Sequence, residues 1–246
     1  MTPQIIATFG PIDRAETLRG AHAAIVKAGY DGVYLPQSPG LFEPLEMAGY
    51  MAACDTSALK YFVTQRTGLI APTMCSRMFA TLDQLTQGRI VAVLDAESDT
   101  NADGDTLDAT QRIPRALEYG RIMRNLWSAD KPLDHAGTHY AFNKGRTNVP
   151  PLQKGALPLL MQCAPDVDIA GSAFDGVILS GPQTADSVAR FVAQKLVVAV
   201  VVEDAPEQTI ATYAKAGAST FIIAASHADL SSQFVERCRA AATPKT

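Results

Sequence analysis

The residues of this chain that could do chemistry stand mostly just after apolar runs. They are Arg66 and Thr67, Asp95 with Glu97, Arg112, the run Cys163, Ala164, Pro165 and Asp166, and His227. Arginine and threonine are types that hold an anion, and a helix start adds free N–H groups. A neutral imidazole such as that of His227 moves protons near neutral pH. Each residue also has a plainer reading. Arg66 could pack or pair, Arg112 could be a solvated or salt-bridged helix residue, and His227 could be exposed or sit beside a helix cap at Ser226. His135 and His139 are four apart, but Ala-Gly-Thr between them reads as a turn, which argues against a helical metal pair. The sequence contains no HExxH, EF-hand or P-loop pattern. The four cysteines are scattered without a CxxC pair, as expected for free thiols in a reducing compartment.

Those positions need elements to hold them. Apolar, β-branched runs alternate with longer amphipathic stretches, the pattern of βα units on a parallel sheet. Eight strands are predicted: Ile5–Phe9, Gly32–Leu35, Lys60–Gln65, Arg89–Leu94, Leu157–Gln162, Asp175–Leu179, Lys195–Val202 and Thr220–Ala224. Eight strands, each followed by a helix, close into a (β/α)8 TIM barrel, here a single domain over residues 1–246. Helices are expected from an Asp13 cap to Lys27, ended by Gly29, then over Glu43–Ala53, Pro72–Thr86, Arg112–Trp127, Pro206–Lys215 and Ala228–Ala241. Pro114 is expected in the first turn of its helix, where a missing N–H does no harm. The stretch between the fourth and fifth strands is an insertion region, with an acidic loop over 98–110 and a short hairpin in HAGTHYAFNKG. Long loops after barrel strands are where function is grafted.

A chain of 246 residues suits one barrel, and its formal charge of −4 gives no basic footprint for nucleic acid or a membrane surface. The first residues carry no basic stretch followed by a long apolar run, and the longest apolar stretch, Leu196 to Val202, is too short to span a bilayer. A cytoplasmic protein with no membrane or nucleic-acid partner is expected.

The sequence also resembles a known family over nearly its whole length, with Lys60 to Trp127 carrying the match. Ala-Thr-Leu-Asp-x-Leu-x-x-Gly-Arg over Ala80 to Arg89, the helix Arg112 to Trp127, the hairpin HAGTHYAF, PPLQKGALPLLM and APEQTIATYAKAGASTFIIAASH follow one another in family order. Together they resemble the bacterial luciferase-like flavin monooxygenase superfamily, and within it the alkanesulfonate monooxygenase branch. Read physically, the first motif is structural. Leu82 and Leu85 would pack the helix on the barrel, Gly88 would end it, and Asp83 would pair with Arg77 or Arg89.

The resemblance implies reduced flavin mononucleotide (FMN) at the barrel mouth, supplied by a separate flavin reductase, with oxygen and a small organic substrate. It implies cofactor contacts from Arg66, Thr67, Asp95, Arg112, Cys163 and Ala164, a catalytic role for His227, and a homodimer through the helices near the second and third strands. The sequence also departs from the alkanesulfonate enzymes. Leu41 stands about where they carry a cysteine, the seventh strand is a plain LVVAVVV, and a long mobile loop before the last strand is absent. Asp166 and Asp168 would repel a phosphate unless Arg112 or another cation neutralises them, and Pro165 removes a donor. These departures keep open a non-catalytic flavin-binding protein, or a partner subunit of an active chain.

Overall fold

The computed structural model describes all residues except 1, 10, 11, 13, 38–41, 97–104, 106, 154–156, 180–182, 225–229 and 244–246. The chain runs β1 (Gln4–Thr8), α1 (Ala15–Ala28), β2 (Gly32–Leu35), α2 (Pro44–Ala53), β3 (Lys60–Arg66), α3 (Pro72–Leu85), β4 (Ile90–Asp95) and α4 (Ala109–Ser128). It continues with β5 (Leu133–Ala136), β6 (Ala141–Gly145), β7 (Leu159–Cys163), β8 (Gly176–Leu179), α5 (Ala185–Ala193), β9 (Val197–Val202), α6 (Pro206–Lys215), β10 (Thr220–Ile223) and α7 (Ser232–Ala242). The eight predicted strands are present and close into a parallel barrel in the order β1-β10-β9-β8-β7-β4-β3-β2, while β5 and β6 form the separate antiparallel hairpin. Among the described residues no helix is long and apolar enough to cross a membrane.

The strands are buried on both faces, so they read as continuous apolar runs rather than alternating ones. Side chains nevertheless alternate between two cores. Ile6, Phe62, Val91, Val93, Leu160, Ile178, Ala199 and Ile222 fill the lumen with Tyr34. Their neighbours Ile5, Val33, Tyr61, Val63, Leu94, Met161 and Val200 face outward into the shell of helices. Burying each larger aliphatic side chain contributes roughly 1.5–3 kcal/mol.

Besides α7, which starts at Ser232 behind a Ser231 cap and not at Ala228, the helices differ from expectation at three places. No helix lies between β7 and β8, where only residues 164–175 make the crossover. Backbone groups that a helix would satisfy internally are met by arginines instead. Arg124 donates to the carbonyl of Ala173 (3.2 and 3.3 Å), and Arg190 donates to those of Pro165 and Val167. Phe174 closes the gap by resting on Gly120 of α4, where an added Cβ would come within 2.7 Å of its ring.

Second, α4 begins at Ala109 and not Arg112, because Asp108 and Gln111 form a reciprocal capping box. Pro114 therefore lies beyond the first turn, and Thr110 loses its usual i+4 donor. Third, Leu82 packs as expected but Leu85 is 73% exposed. Asp83 pairs with neither arginine: its carboxylate accepts from the backbone N–H of Gln153 (3.0 Å) and from Gln153 Nε2 (2.7 Å). Arg89 turns instead to the carbonyls of Thr86, Ser57, Ala52 and Asp55.

Candidate active site

The lumen changes character toward the ends where the strands finish. Above Phe62, the alternation on β3 brings Thr64 and then Arg66 to the inner face. On β4 it brings Asp95 above Val93, and on β7 Gln162 above Leu160. Arg66, Asp95 and Gln162 are consecutive register partners, so their backbones stand side by side at one level. Tyr34 on β2 donates from its hydroxyl across the lumen to Gln162 Oε1. Thr8 on β1 is the register partner of Tyr34 and extends the arc. The polar arc thus spans five adjacent strands, while β8, β9 and β10 face it with Ile178, Ala199, Val201 and Ile222.

This arc is buried: Thr64, Arg66 and Asp95 are 1%, 2% and 3% exposed. Burial pushes the Tyr34 hydroxyl well above its ordinary pKa, and the Asp95 charge adds to the shift. Tyr34 is therefore a fixed proton donor across the whole working pH range. Thr64 Oγ1 lies beside that hydroxyl but completes no hydrogen bond among the described residues, and Thr67 Oγ1 is buried in the same condition.

The loop after β3 is held from outside the barrel. The Arg66 N–H donates to Gln37 Oε1 at 2.6 Å, and Gln37 Nε2 donates to Glu43 at 3.0 Å. The Thr67 N–H donates to the Asp95 carbonyl at 3.1 Å, and its own carbonyl accepts from Arg115 Nη2 at 2.8 Å. Arg115 is paired in turn with Asp105. The guanidinium lies so close to Gly68 that a Cβ there would come within 2.5 Å of it, and Gly68 has φ +98°. Only glycine suits that position.

Of the expected site residues, Arg66, Thr67 and Asp95 come together, and Ala164 follows on the neighbouring strand end. Cys163 is buried in the outer shell, so its side chain is turned from the lumen. Arg112 stands half-buried in the first turn of α4, within the field of Asp108. His227, Leu41 and Glu97 lie outside the described residues. Tyr34, Thr64 and Gln162 were not singled out from the sequence. A signal existed for Thr64 and Gln162, each a polar residue inside an apolar strand, at the spacing of two that reaches the lumen.

A cleft of about 460 Å³ between α4, the β5–β6 turn and residues 168–173 lies outside the barrel wall. Its buried carboxylate, Glu118, already accepts from His135 Nε2 (2.9 Å) and from the N–H groups of His139 (2.9 Å) and Tyr140 (3.0 Å). It is a packing seam. Among the described residues no group of three or more His, Cys, Asp or Glu is placed to hold a metal ion.

The family model for luciferase-like monooxygenases matches residues 10–243. The chain belongs to the luciferase-like monooxygenase family. Its fold is similar to that of an F420-dependent secondary alcohol dehydrogenase solved with an F420–acetone adduct, at 15% identity over 94% of this chain and 95% of that one (TM-score 0.75). It is also similar to the coenzyme F420-dependent tetrahydromethanopterin reductase of Methanopyrus kandleri, at 14% identity over 87% and 71% of the two chains (TM-score 0.67). The EDTA monooxygenase of Chelativorans sp. BNC1 matches at 16% identity, with 85% of this chain covering 64% of that one (TM-score 0.64). Identities this low establish the shared barrel and no more.

A flavin-type cofactor can be tested against this geometry. A flat heteroaromatic ring with one polar edge suits a lumen mouth that is polar on one side and apolar on the other, with hydroxyls of Thr64 and Thr67 to offer. The phosphate is a different matter. The start of the β7 crossover brings Pro165, Asp166 and Asp168, and Arg190 there is engaged with backbone carbonyls. These residues match the chemistry of the ring's polar edge, and the acids at the start of the β7 crossover do not suit a phosphate placed there.

Proposed function

We propose that this chain is a flavin-dependent oxidoreductase of the monooxygenase type, acting with oxygen on a small organic substrate and drawing on a separate flavin reductase. The observation that carries the reading is the polar arc of buried Tyr34, Thr64, Arg66 and Asp95 with half-buried Gln162 over an apolar lumen, in a chain of this family. A reduced flavin, when bound, would supply the two electrons that activate oxygen, one oxygen atom of which goes to the substrate and the other to water. The chain's own residues do the rest. Arg66 and Asp95 set a fixed dipole beside the ring, and Thr64 and Thr67 offer hydroxyls to its polar edge. Tyr34 keeps its proton and orients the Gln162 amide, while the β8–β10 wall excludes water from the reacting centre.

FMN is the form that the resemblance implies, and the alkanesulfonate branch is the part of the family it points to. Support for that branch is limited by Leu41 and the plain β9. The wholly apolar β9 wall also favours a second reading, a flavin-binding member without its own turnover. We further propose a homodimer through α2 and α3, where Met74 and Leu85 leave an apolar face exposed.

Titration of the purified chain with oxidised and reduced flavins, followed by absorbance and fluorescence, tests the reading. Saturable binding together with reductase-dependent oxygen uptake supports it. Absence of binding by any flavin at high micromolar concentration would sink it, and binding without oxygen uptake on any organosulfur or aldehyde substrate moves the assignment to the second reading.

A further inference from the structure

The loops that leave β3 and β4 meet on one side chain of α4. Arg115 Nη1 donates to one Asp105 carboxylate oxygen at 3.0 Å. Its Nη2 donates to the other oxygen and, at 2.8 Å, to the Thr67 carbonyl. Asp105 belongs to the connection between β4 and α4, and Thr67 is the first residue after β3. A planar guanidinium can grip a carboxylate with two parallel N–H groups and still turn a third to a carbonyl, which an ammonium has no fixed fork to do. One turn further along α4, on the same face, the Tyr119 hydroxyl donates to the Ile70 carbonyl at 3.0 Å. Thr67 and Ile70 are themselves joined as an isolated bridge. The turn from Thr67 to Ile70 is thus held by α4 at both ends.

The charged pair is buried, with Arg115 and Asp105 each 7% exposed. Replacing such a pair by well-packed apolar residues is often neutral or stabilising, so stability alone is a weak reason for it. Fixing one geometry is its better attested use. The geometry fixed here is that of Thr67. Its N–H is spent on the Asp95 carbonyl at 3.1 Å and its carbonyl on Arg115, so its backbone is tied on two sides. Its buried hydroxyl has no hydrogen-bond partner among the described residues.

We infer that Arg115 is a positioning residue of the lumen site, acting through Thr67, and that it makes the placing of the Thr67 hydroxyl depend on Asp105 in the connection after β4. This rests on the reading of the lumen mouth as a flavin site. Arg115 itself contributes no ligand contact. It sets the turn beside Arg66 and Asp95, and Asp105 gains a part in the site by holding the guanidinium in place.

Two variants of the full chain separate positioning from stability. Arg115→Met leaves the Asp105 carboxylate buried without the guanidinium. It is expected to lower the urea midpoint and to weaken binding of riboflavin and of FMN, titrated by fluorescence quenching, about tenfold. Arg115→Met combined with Asp105→Asn removes the stranded charge, and the new amide oxygen keeps an acceptor for the Leu107 N–H. The midpoint is then expected to return toward that of the unaltered chain, while affinity for both flavins stays about tenfold low, because the Thr67 carbonyl still lacks its donor. Affinity that recovers together with the midpoint overturns the inference and leaves the pair a structural one. An unchanged affinity in the single variant overturns it too. Amide exchange at Thr67, measured without ligand, should quicken in both variants by more than the change in midpoint explains, and exchange that follows the midpoint alone counts against Arg115 in the same way. Failure of the unaltered chain to bind either flavin overturns the site reading itself, while the exchange measurement still decides whether Arg115 holds Thr67.

Discussion

Where the strands begin, His22, Asp55, Tyr61 and Arg89 form one satisfied cluster. Arg89 donates to four carbonyls and faces Asp55, Tyr61 meets His22 Nε2 at 3.2 Å, and Asp55 accepts from the Ser57 N–H at 2.8 Å. The connections entering the strands there also carry cations, among them Arg89, Lys131, Arg146 and Lys195. Where the strands end, the polar residues are as deeply buried, yet among the described residues the hydroxyls of Thr64 and Thr67 have no hydrogen-bond partner. Buried polar groups are normally satisfied, and exceptions call for a reason. The His22–Asp55–Tyr61–Arg89 cluster spends its polar groups on the chain itself, whereas the Thr64 and Thr67 hydroxyls are not spent in that way among the described residues. The difference is the one expected if the beginning of the barrel serves stability and its mouth serves the proposed function.

Substitutions at the two ends should separate those roles. The largest effect is expected for Arg89→Ala, which strands buried carbonyls and leaves Asp55 without its cation. Unfolding by urea should show a loss of about 3 kcal/mol, with flavin affinity of the folded fraction unchanged. A change in flavin affinity would break the division. Next is Gly68→Ala, which combines a left-handed backbone with a clash against Arg115. It should cost about 2 kcal/mol and also weaken flavin binding several-fold, because the same loop positions Arg66 and Thr67. Tyr34→Phe removes one hydrogen bond and no packing. It should cost about 1 kcal/mol in denaturation, while flavin affinity falls by a larger factor than that loss of stability would explain. An unchanged affinity would show that the Tyr34–Gln162 bridge serves the fold alone.

The barrel was legible because strand periodicity and helix punctuation are local. All eight strands follow from apolar runs, with bounds shifted by one or two residues. The missing helix after β7 was not legible, since its replacement depends on Arg124 and Arg190 reaching in from distant elements. Pro114 misled for a related reason: the reciprocal cap between Asp108 and Gln111 outweighs the usual first-turn preference of proline. At the site, Arg66, Thr67 and Asp95 could be anticipated as strand-end residues. Cys163 could not be placed without knowing the parity of β7, which sends Gln162 inward and Cys163 outward. Tyr34 was hidden because an aromatic residue in a strand reads as core until its hydroxyl is seen to cross the lumen.

The smallest effect is a pH dependence confined to the stability end. His22 is 3% exposed, and burial lowers its pKa, against a raising influence from Asp55 and with a further lowering one from Arg89. The folded state therefore holds fewer protons than the unfolded state once the pH drops below the ordinary histidine value near 6.5. Stability should be flat above that value and decline as the pH falls from it toward the depressed folded-state pKa. Asp55, also lowered in the folded state, adds its own loss only at lower pH, below the ordinary carboxylate range. Urea midpoints measured between about pH 7.5 and about pH 5 should show the decline. His22→Gln, which keeps a polar partner for Tyr61, should flatten it. A decline that survives His22→Gln would move its origin to another group, and the cluster at the beginning of the barrel would then be less closed than its hydrogen bonds indicate.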